Sequence, residues 1–342
     1  MSRAPVALDL QGADGGPELV LSGAGIAAAE GIPVRAFGPA GLDAGDGIEL
    51  IVADDFIRND AEPVAAVRST PDASIVKAAA DVAEGRSGSL VGLGSTGAAM
   101  TAALFALKRL RGVHRPALAA QVPVPATGRP LLLLDCGANT EVRPQHLIQF
   151  AHLGAAFTES VLGIERPRVA LLSVGEEQKK GRPDVVEAHA ALSADDGIEF
   201  AGNVEGRDLL SGEVDVAVCD GFTGNVALKT LEGTARAVAG AVRDAARSGP
   251  LAAAGGLMLR PALGKLRAAM DPNSVGGAIL LGLRGVAVVG HGSSTPEGVA
   301  NAIRLADRAV REDAAARTAD HLRASGASRE QLREAGAPAG QG

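Results

Sequence analysis

Apolar runs alternate with helical patterns along the chain, and six of the runs end in small polar residues. In each of the six, a group of Gly, Asp, Asn, Ser or Thr separates an apolar stretch from residues at helical spacing. Near-continuous apolar strands that alternate with helices are typical of a mostly parallel sheet covered by helices on both faces. The pattern therefore predicts an α/β fold of three layers.

The six polar groups are named crests, because each is expected to stand at the end of a strand. In chain order they are crest 1 (residues 9–15), crest 2 (92–97), crest 3 (135–139), crest 4 (173–181), crest 5 (220–225) and crest 6 (290–295). Ligands of open parallel sheets bind outside the carboxyl ends of the strands. We therefore predict that all six crests meet at one edge of the sheet and form a substrate cleft there.

The stretch from residue 202 to residue 233 is densest in side chains that can hold an acidic substrate. Val214, Val216 and Val218 predict a strand, and Thr223 or Asn225 is expected to cap the helix after it. An ordinary strand-to-helix turn is the competing interpretation. The candidate substrate-binding residues of this stretch are Asn203, Glu205, Arg207, Asp220, Gly221, Thr223, Gly224, Asn225 and Lys229.

The other crests supply further candidates, because helix N-termini and short polar side chains bind anions. A lysine in crest 4 can neutralise phosphate, although a run of charges is as often a solvated face. The histidine of crest 6 is equally compatible with a structural role. These candidates are Asp9, Gly12, Asp14, Ser95, Thr96, Gly97, Asp135, Asn139, Lys179, Lys180, His291, Gly292, Ser293 and Ser294.

Crest 2 contains a literal G-x-G-x-x-G, formed by Gly92, Gly94 and Gly97. This spacing also occurs in dinucleotide-binding folds, where an acidic residue about 20 positions further on holds the ribose. The corresponding region of this chain reads VHRPALAA and contains no acid. An anion cradle made by Ser95, Thr96 and the start of the next helix is therefore the preferred interpretation.

Composition narrows the choice of function. The 342 residues carry a net charge of −7, which argues against broad affinity for nucleic acids, since phosphate contacts need a basic surface. The two cysteines, Cys136 and Cys219, are not expected to form a disulfide framework, and Cys136 is expected to be a small buried side chain. His146 and His152 lack the spacing of metal ligands and are expected to be surface or packing residues.

Residues 248–271 mix leucines with basic residues, and Pro261 is expected to interrupt the helix there. The segment is either an ordinary helical hairpin or an amphipathic tip that inserts into the anionic membrane surface. No signal peptide is expected at the start of the chain, and no apolar run reaches the roughly 18 residues that span a bilayer. The protein is expected to be soluble or peripheral.

Six stretches of the sequence are specific enough to compare with the motifs of known families. They are ALDLQGADGGP from residue 7, GSTGAAM from 94, LLLLDCGANTEVRPQHLIQFAHLG from 131, RVALLSVGEEQKKG from 168, GNVEGRDLLSGEVDVAVCDGFTGNVALKTLEG from 202 and GGAILLGLRGVAVVGHGSS from 276. They occur in one order and cover most of residues 4–311. Together they resemble the PlsX family, the bacterial phosphate acyltransferases of phospholipid synthesis.

The resemblance implies that a fatty acyl group passes from acyl carrier protein to inorganic phosphate, which attacks the thioester directly. Lys180, Asn225 and His291 would then be the catalytic residues, and neither a cofactor nor a metal is expected. The implied fold is similar to the isocitrate and isopropylmalate dehydrogenases. One large domain would cover residues 1–311, with a helical protrusion at about 244–274 and a helical or disordered tail at 312–342.

The resemblance further implies a homodimer in the cytoplasm, with peripheral contact at the inner face of the membrane through Leu257–Leu266. Acyl carrier protein is acidic, so its binding needs a local basic patch. Arg109, Arg111, His114 and Arg115 are one candidate for that patch.

The chain differs from the usual motif residues of the family at Gln11, Ala13, Gly15, Ser95, Glu176 and Val289. Gln11 stands where the family usually has Met, and Ser95 where it usually has Asn. Two other functions therefore stay open. One is a non-catalytic relative that binds acyl carrier protein or membrane as a scaffold. The other is an oxidoreductase or an acetyl-phosphate-type transferase on a related α/β fold.

Overall fold

A computed structural model describes residues 3–269 and 271–335, which build an eleven-stranded sheet between two layers of helices. The predicted three-layer α/β fold is confirmed, and all six apolar runs with crests form strands. β5, β8 and β10 were not predicted. The strands are β1 (Val6–Asp9), β2 (Val34–Gly38), β3 (Ile48–Val52), β4 (Ser89–Gly92), β5 (Ala117–Pro123), β6 (Pro130–Leu134), β7 (Arg168–Leu172), β8 (Glu199–Val204), β9 (Val216–Val218), β10 (Ala278–Leu281) and β11 (Val286–Val289).

Helices fill the connections and divide between the two faces of the sheet. They are α1 (Gly16–Ala29), α2 (Pro63–Ser69), α3 (Ser74–Ala83), α4 (Thr96–Leu107), α5 (Pro144–Phe157), α6 (Pro183–Ser193), α7 (Gly221–Ala246), α8 (Pro250–Ala269), α9 (Pro296–Arg311), α10 (Ala314–Ala324) and α11 (Arg329–Ala335). Buried side chains of α1, α5, α6, α9 and α10 share one core with one face of the sheet. Those of α2, α3 and α4 share the other core.

Buried leucines of the central strand β6 explain why this sheet needs both helical layers. Leu132 and Leu134 belong to the first core, whereas Leu131 and Leu133 belong to the second, and all four are almost fully buried. Each buried leucine stabilises the fold by roughly 1.5–3 kcal/mol relative to an exposed one. A strand that is apolar on both faces is therefore stable only between two layers.

The sheet reverses direction in its middle. β3, β2, β1, β4 and β11 are parallel to one another, and so are β6, β9, β7 and β8. Between these blocks β10 pairs antiparallel with β11 and with β5, and β5 pairs antiparallel with β6. Three successive reversals leave the two parallel blocks running in opposite directions.

The prediction that all six crests meet at one edge of the sheet is therefore wrong. Crests 1, 2 and 6 follow β1, β4 and β11 and stand at one edge, which we name edge A. Crests 3, 4 and 5 follow β6, β7 and β9 and stand at the opposite edge, edge B. Hydrophobic periodicity identifies a strand but does not give its direction in the sheet. Here the antiparallel pairing with β5 and β10 sets the direction of the two blocks.

The start of α7 differs from the sequence prediction. Asp220 is the N-cap, because its Oδ1 accepts hydrogen bonds from the backbone N–H groups of Phe222 (3.1 Å) and Thr223 (3.0 Å). Thr223 and Asn225 lie inside the helix, so neither caps it. A carboxylate competes well for this place, since it also neutralises the positive end of the helix dipole.

Most of α7 and the described part of α8 lie outside the two cores. Residues 225–264 contain no buried residue, and Pro261 lies inside α8 without ending it, contrary to the prediction. The carbonyl group that loses its partner to Pro261 belongs to exposed Leu257 and can bond to water. Within residues 3–269 and 271–335, no helix combines the length and the hydropathy that crossing a bilayer requires.

Residues 314–324 and 329–335 form α10 and α11, and α10 packs on the body of the protein. Leu322 of α10 is 1% exposed in the first core, and of the two alternatives expected after residue 312, helical or disordered, residues 314–324 are helical. The ring of His321 lies 3.2 Å from His152 of α5, and His152 Nε2 is 2.8 Å from Asp195 Oδ2. His146 and His152 are both buried, so of the two predicted roles, surface or packing, the structure shows packing.

Two glycines of α7 make a matched test of this packing. A Cβ on Gly224 would lie 1.9 Å from the carbonyl oxygen of Asp135, whereas a Cβ on Gly233 meets nothing within 4 Å. Gly224→Ala should therefore lower the free energy of unfolding by about 3 kcal/mol or more. Gly233→Ala should raise it by about 0.5–1 kcal/mol, because alanine is the better helix former.

Urea denaturation of the two variants and the wild type measures both changes. Similar stability of the two variants would contradict the tight packing of Gly224 on crest 3.

Candidate functional site

Crests 1, 2 and 6 are joined at edge A by close backbone contacts. Gly12 has a φ of +85°, and a Cβ there would lie 2.9 Å from the Cα of Gly94. The N–H of Asp14 donates to the carbonyl of Gly292 over 2.8 Å. Glycine is therefore required where crest 1 meets crest 2, both for its conformation and for the close approach.

The N-terminus of α4 opens into a cleft between these crests. Ser95 is the N-cap, with its Oγ accepting from the N–H of Ala98 over 3.3 Å, so Ser replaces the usual Asn of the family without loss of a good cap. The cleft has a volume of about 500 Å³. Its lining residues are Asp14, Asn59, Ala61, Pro63, Gly94, Ser95, Thr96, Gly97, His291, Gly292 and Ser293.

The long helix α7 carries a lysine from edge B to this cleft. Lys229 Nζ lies 3.0 Å from His291 Nε2 and 3.0 Å from Glu232 Oε2. Asn225, Lys229 and Glu232 are spaced i, i+4 and i+7, so they share one face of the helix. Ser293 Oγ is 3.2 Å from His291 Nδ1. The structure thus brings together Lys229, His291 and Ser293, all three of them predicted site residues.

Glu232 is a site residue that the sequence analysis missed. Its side chain is 10% exposed, and it lies one turn beyond Lys229 and 3.7 Å from His291 Nε2. Burial by itself would raise the pKa of Glu232, but contacts with the cationic form of His291 and with Lys229 lower it to about 2. Its spacing of three residues from Lys229 was the available signal, yet such acid–base pairs are common on exposed helices.

Two residues of crest 1 support the cleft from below. The amide of Gln11 donates to the carbonyl of Ala53 over 2.8 Å, which ties crest 1 to the loop between β3 and α2. Asp9 is only 5% exposed, and burial raises the pKa of its carboxyl to about 7. Asp9 also accepts from the N–H of Gln11, and the two residues line a small cavity together with Ser95, so contact of Asp9 with substrate stays a prediction.

Crests 3 and 5 at edge B bond to each other. Asp135 is fully buried and accepts from the N–H groups of Leu118 and Asn139, while Gly221 N–H donates to the carbonyl of Asn139 over 2.7 Å. Asp220 Oδ2 accepts from Thr223 Oγ1. The polar groups of these candidates thus hold β6, β9 and α7 together, and edge B keeps them away from the cleft at edge A.

Crest 4 also lies at edge B, beside β8. Lys179 and Lys180 are exposed. Arg182, in the next turn, binds Asp220 over 2.9 Å and Asp184 over 2.6 Å. The structure therefore separates Lys180 from His291, although both were predicted as catalytic residues.

The other candidates near crest 4 bond to one another at the ends of β7 and β8. Asn203 donates from Nδ2 to the carbonyl of Glu177 over 3.0 Å. Exposed Arg207 lies 3.5 Å from Glu205 and 3.6 Å from Glu176. In the part of the chain that the structure describes, no group of three or more His, Cys, Asp or Glu could hold a metal ion.

Sequence comparison identifies the family. The family model described as "Fatty acid synthesis protein" matches residues 4–317. A phosphate acyltransferase of Elusimicrobium minutum is 47% identical over 270 residues, 79% of this chain and 78% of that protein. A phosphate acyltransferase of Heliobacterium modesticaldum is 41% identical over 329 residues, 93% of this chain and 97% of that protein.

Solved structures with the same fold are more distant in sequence. A branched-chain phosphotransacylase of Enterococcus faecalis is 18% identical with a TM-score of 0.59, and covers 90% of this chain and 99% of its own. EutD phosphotransacetylase of Staphylococcus aureus is also 18% identical, with a TM-score of 0.57 and coverage of 90% and 95%. At this identity the likeness shows the fold alone. The sequence matches go further, and by them the chain belongs to the phosphate acyltransferase family, a family of acyltransferase enzymes.

Proposed function

We propose that the protein transfers a fatty acyl group from acyl carrier protein to inorganic phosphate and so forms an acyl phosphate for glycerophospholipid synthesis. The observation that carries the proposal is the contact of Lys229 with His291, which lines the same cleft as the N-terminus of α4 at edge A. A cation and free backbone N–H groups at one point suit a phosphate anion. Family membership supports acyl transfer as the reaction.

In this proposal phosphate lies between α4 and α7. The N–H groups of Thr96 and Gly97 and the hydroxyl of Ser95 would bind its oxygens, and Lys229 would neutralise its charge. Asp14 also lines the cleft. A carboxylate there can accept the hydrogen bond of a P–OH group, which would favour a protonated phosphate oxygen on that side.

Bound phosphate then needs little further activation. One of its oxygens attacks the thioester carbon, a C–O bond forms, and the C–S bond breaks as the carrier thiolate leaves. Positioning and stabilisation of the oxyanion are the main demands of this step. Asn225 lies one turn before Lys229 on the same face of α7, and with His291 it would donate to or orient the carbonyl.

At two of the positions where the chain departs from the usual motif residues of the family, the residue present still supports the cleft. Ser95 caps α4 as Asn would, and Gln11 holds the loop that carries Asn59 and Pro63. Val289 is buried at the end of β11, so the lysine common at that position is replaced by a core residue. A scaffold without catalytic activity is the alternative that the assay below distinguishes.

Lys180 can take part in the same reaction only if a second copy of the chain supplies it. Within one chain it stands at edge B, whereas Lys229 and His291 stand at edge A. We therefore propose a homodimer in which crest 4 of one copy completes the cleft of the other. Lys180 and Lys179 are exposed and so available for this contact.

We also propose that α8 makes peripheral contact with the inner face of the membrane from the cytoplasm. Leu257 and Met258 are 68% and 83% exposed, and Arg260 follows them in the same helix. Exposed apolar side chains beside a basic residue are what an anionic bilayer surface binds. Of the predicted segment Leu257–Leu266, the side chains after Gly264 lie outside the described residues.

The reaction predicts that purified protein releases free thiol from palmitoyl acyl carrier protein only when inorganic phosphate is present. Hydroxylamine should trap the acyl phosphate. Lys229→Ala should lower the rate at least about tenfold, because a charge-assisted hydrogen bond is worth about 1.5–3 kcal/mol. Lys77→Ala, which removes a lysine of α3 that pairs with Asp72, is the control. Binding of the carrier without any release would establish the scaffold alternative instead.

The shared cleft predicts complementation between two inactive variants. Lys180→Ala and Lys229→Ala chains, each at least tenfold slower alone, should regain activity when unfolded together and refolded as mixed dimers. One of the two clefts in a mixed dimer then has both lysines. If both lysines act within one chain, mixing restores nothing.

Membrane contact predicts that the protein sediments with vesicles containing phosphatidylglycerol. Leu257→Ser together with Met258→Ser should reduce the bound fraction at least about tenfold, since two exposed apolar anchors are lost. Val174→Ser is the matched control, because Val174 is 81% exposed at edge B. Equal binding of all three proteins would refute the role of α8.

A further inference from the structure

Lys229, Glu232 and His291 form a compact group whose hydrogen bonds limit where each proton lies. Lys229 has three N–H donors. One points to Glu232 Oε2 over 3.0 Å and one to His291 Nε2 over 3.0 Å. The third N–H is left for an acceptor in the cleft. Glu232 and His291 thus fix the direction of the ammonium group as well as its place.

The same contacts determine the tautomer of His291. An ammonium group donates hydrogen bonds and cannot accept one, so His291 Nε2 must carry the lone pair that faces Lys229. The ring proton of neutral His291 is then on Nδ1, which lies 3.2 Å from Ser293 Oγ and can donate to it. The opposite tautomer would bring two donors together at 3.0 Å.

Glu232 is the group that makes this arrangement favourable. Its side chain is 10% exposed, whereas those of Lys229 and His291 are 49% and 47% exposed. The buried carboxylate of Glu232 needs a cation beside it, because an unpaired buried charge is unfavourable. The ammonium group of Lys229 is in turn stabilised by this negative charge. Asp14, near Gly292, is an acid that lines the cleft itself.

We propose that Glu232 is the positioning residue of the cleft. It holds the Lys229 ammonium so that one N–H faces bound phosphate, and through Lys229 it keeps His291 in the tautomer with its proton on Nδ1. This inference rests on the proposed function for the identity of the anion. The arrangement of the three side chains is independent of it.

The tautomer is measured directly by ¹⁵N NMR of protein with labelled histidines, which resolves protonated from unprotonated ring nitrogens. The chain has six histidines, and His291→Gln assigns the relevant signal. In the wild type at a pH where this ring is neutral, we expect a protonated Nδ1 and an unprotonated Nε2. In Glu232→Gln the tautomer with the proton on Nε2 should gain population. A protonated Nε2 in the wild type, or no change in the variant, would overturn the inference.

Binding of inorganic phosphate provides the second measurement, made by calorimetric titration. Glu232→Gln should weaken binding about tenfold, which corresponds to the loss of one charge-assisted contact. Glu232→Asp, which keeps the charge, should bind phosphate more tightly than Glu232→Gln. Asp244→Asn removes one negative charge from an exposed position of the same helix and should change nothing. Wild-type affinity in Glu232→Gln would contradict the positioning role.

Kinetics of phosphate-dependent thiol release separate this role from a merely structural one. Glu232→Gln should raise the KM for phosphate with a smaller change in kcat, and its melting temperature should stay near that of the wild type. If the wild type neither binds phosphate nor turns over, the proposed function fails. The tautomer measurement then still decides whether Glu232 positions Lys229 and His291.

Discussion

Antiparallel pairing in the middle of the sheet determines where every candidate side chain can act. β10 and β5 stand between two parallel blocks of strands. Their backbone hydrogen bonds to each other and to β11 and β6 are all antiparallel, so the two blocks run in opposite directions. The polar crests are consequently split between edge A and edge B. A parallel α/β sheet with one direction would gather them in a single cleft, whereas in this sheet crests 1, 2 and 6 line a cleft at edge A and crests 3 and 5 bond to each other at edge B.

Helix α7 overcomes part of this separation. It begins at edge B, where Asp220 caps it and Gly224 packs against Asp135, and these contacts fix its axis. A helix rises about 1.5 Å per residue, so Lys229 stands about 12 Å from the start of α7. This length carries the lysine to His291 at the other edge. The residues at the start of α7 are therefore framework for a cation that stands about 12 Å further along the helix.

Much of the fold and part of the site could be predicted from the sequence. Periodicity identified the six strands with crests, and the capped N-terminus of α4 at Ser95 follows from crests that do meet. The contact of Lys229 with His291 depends instead on the length of α7, which starts at edge B. β5 was missed because Ala117–Pro123 contains three alanines and a proline, which have low strand propensity. Without β5 and β10 the reversal is invisible, so Lys180 was placed beside His291. Glu232 was missed because only tertiary structure distinguishes it from an ordinary surface acid.

The most direct measurement of the central claim is the position of a bound tetrahedral anion. Crystals soaked in arsenate, a heavier analogue of phosphate, would locate it by the anomalous signal of arsenic. We expect the arsenic between the N-terminus of α4 and Lys229, within hydrogen-bond reach of Thr96 and Gly97. Arsenate bound only at Lys180 and the crests of edge B, with an empty cleft at edge A, would contradict the account.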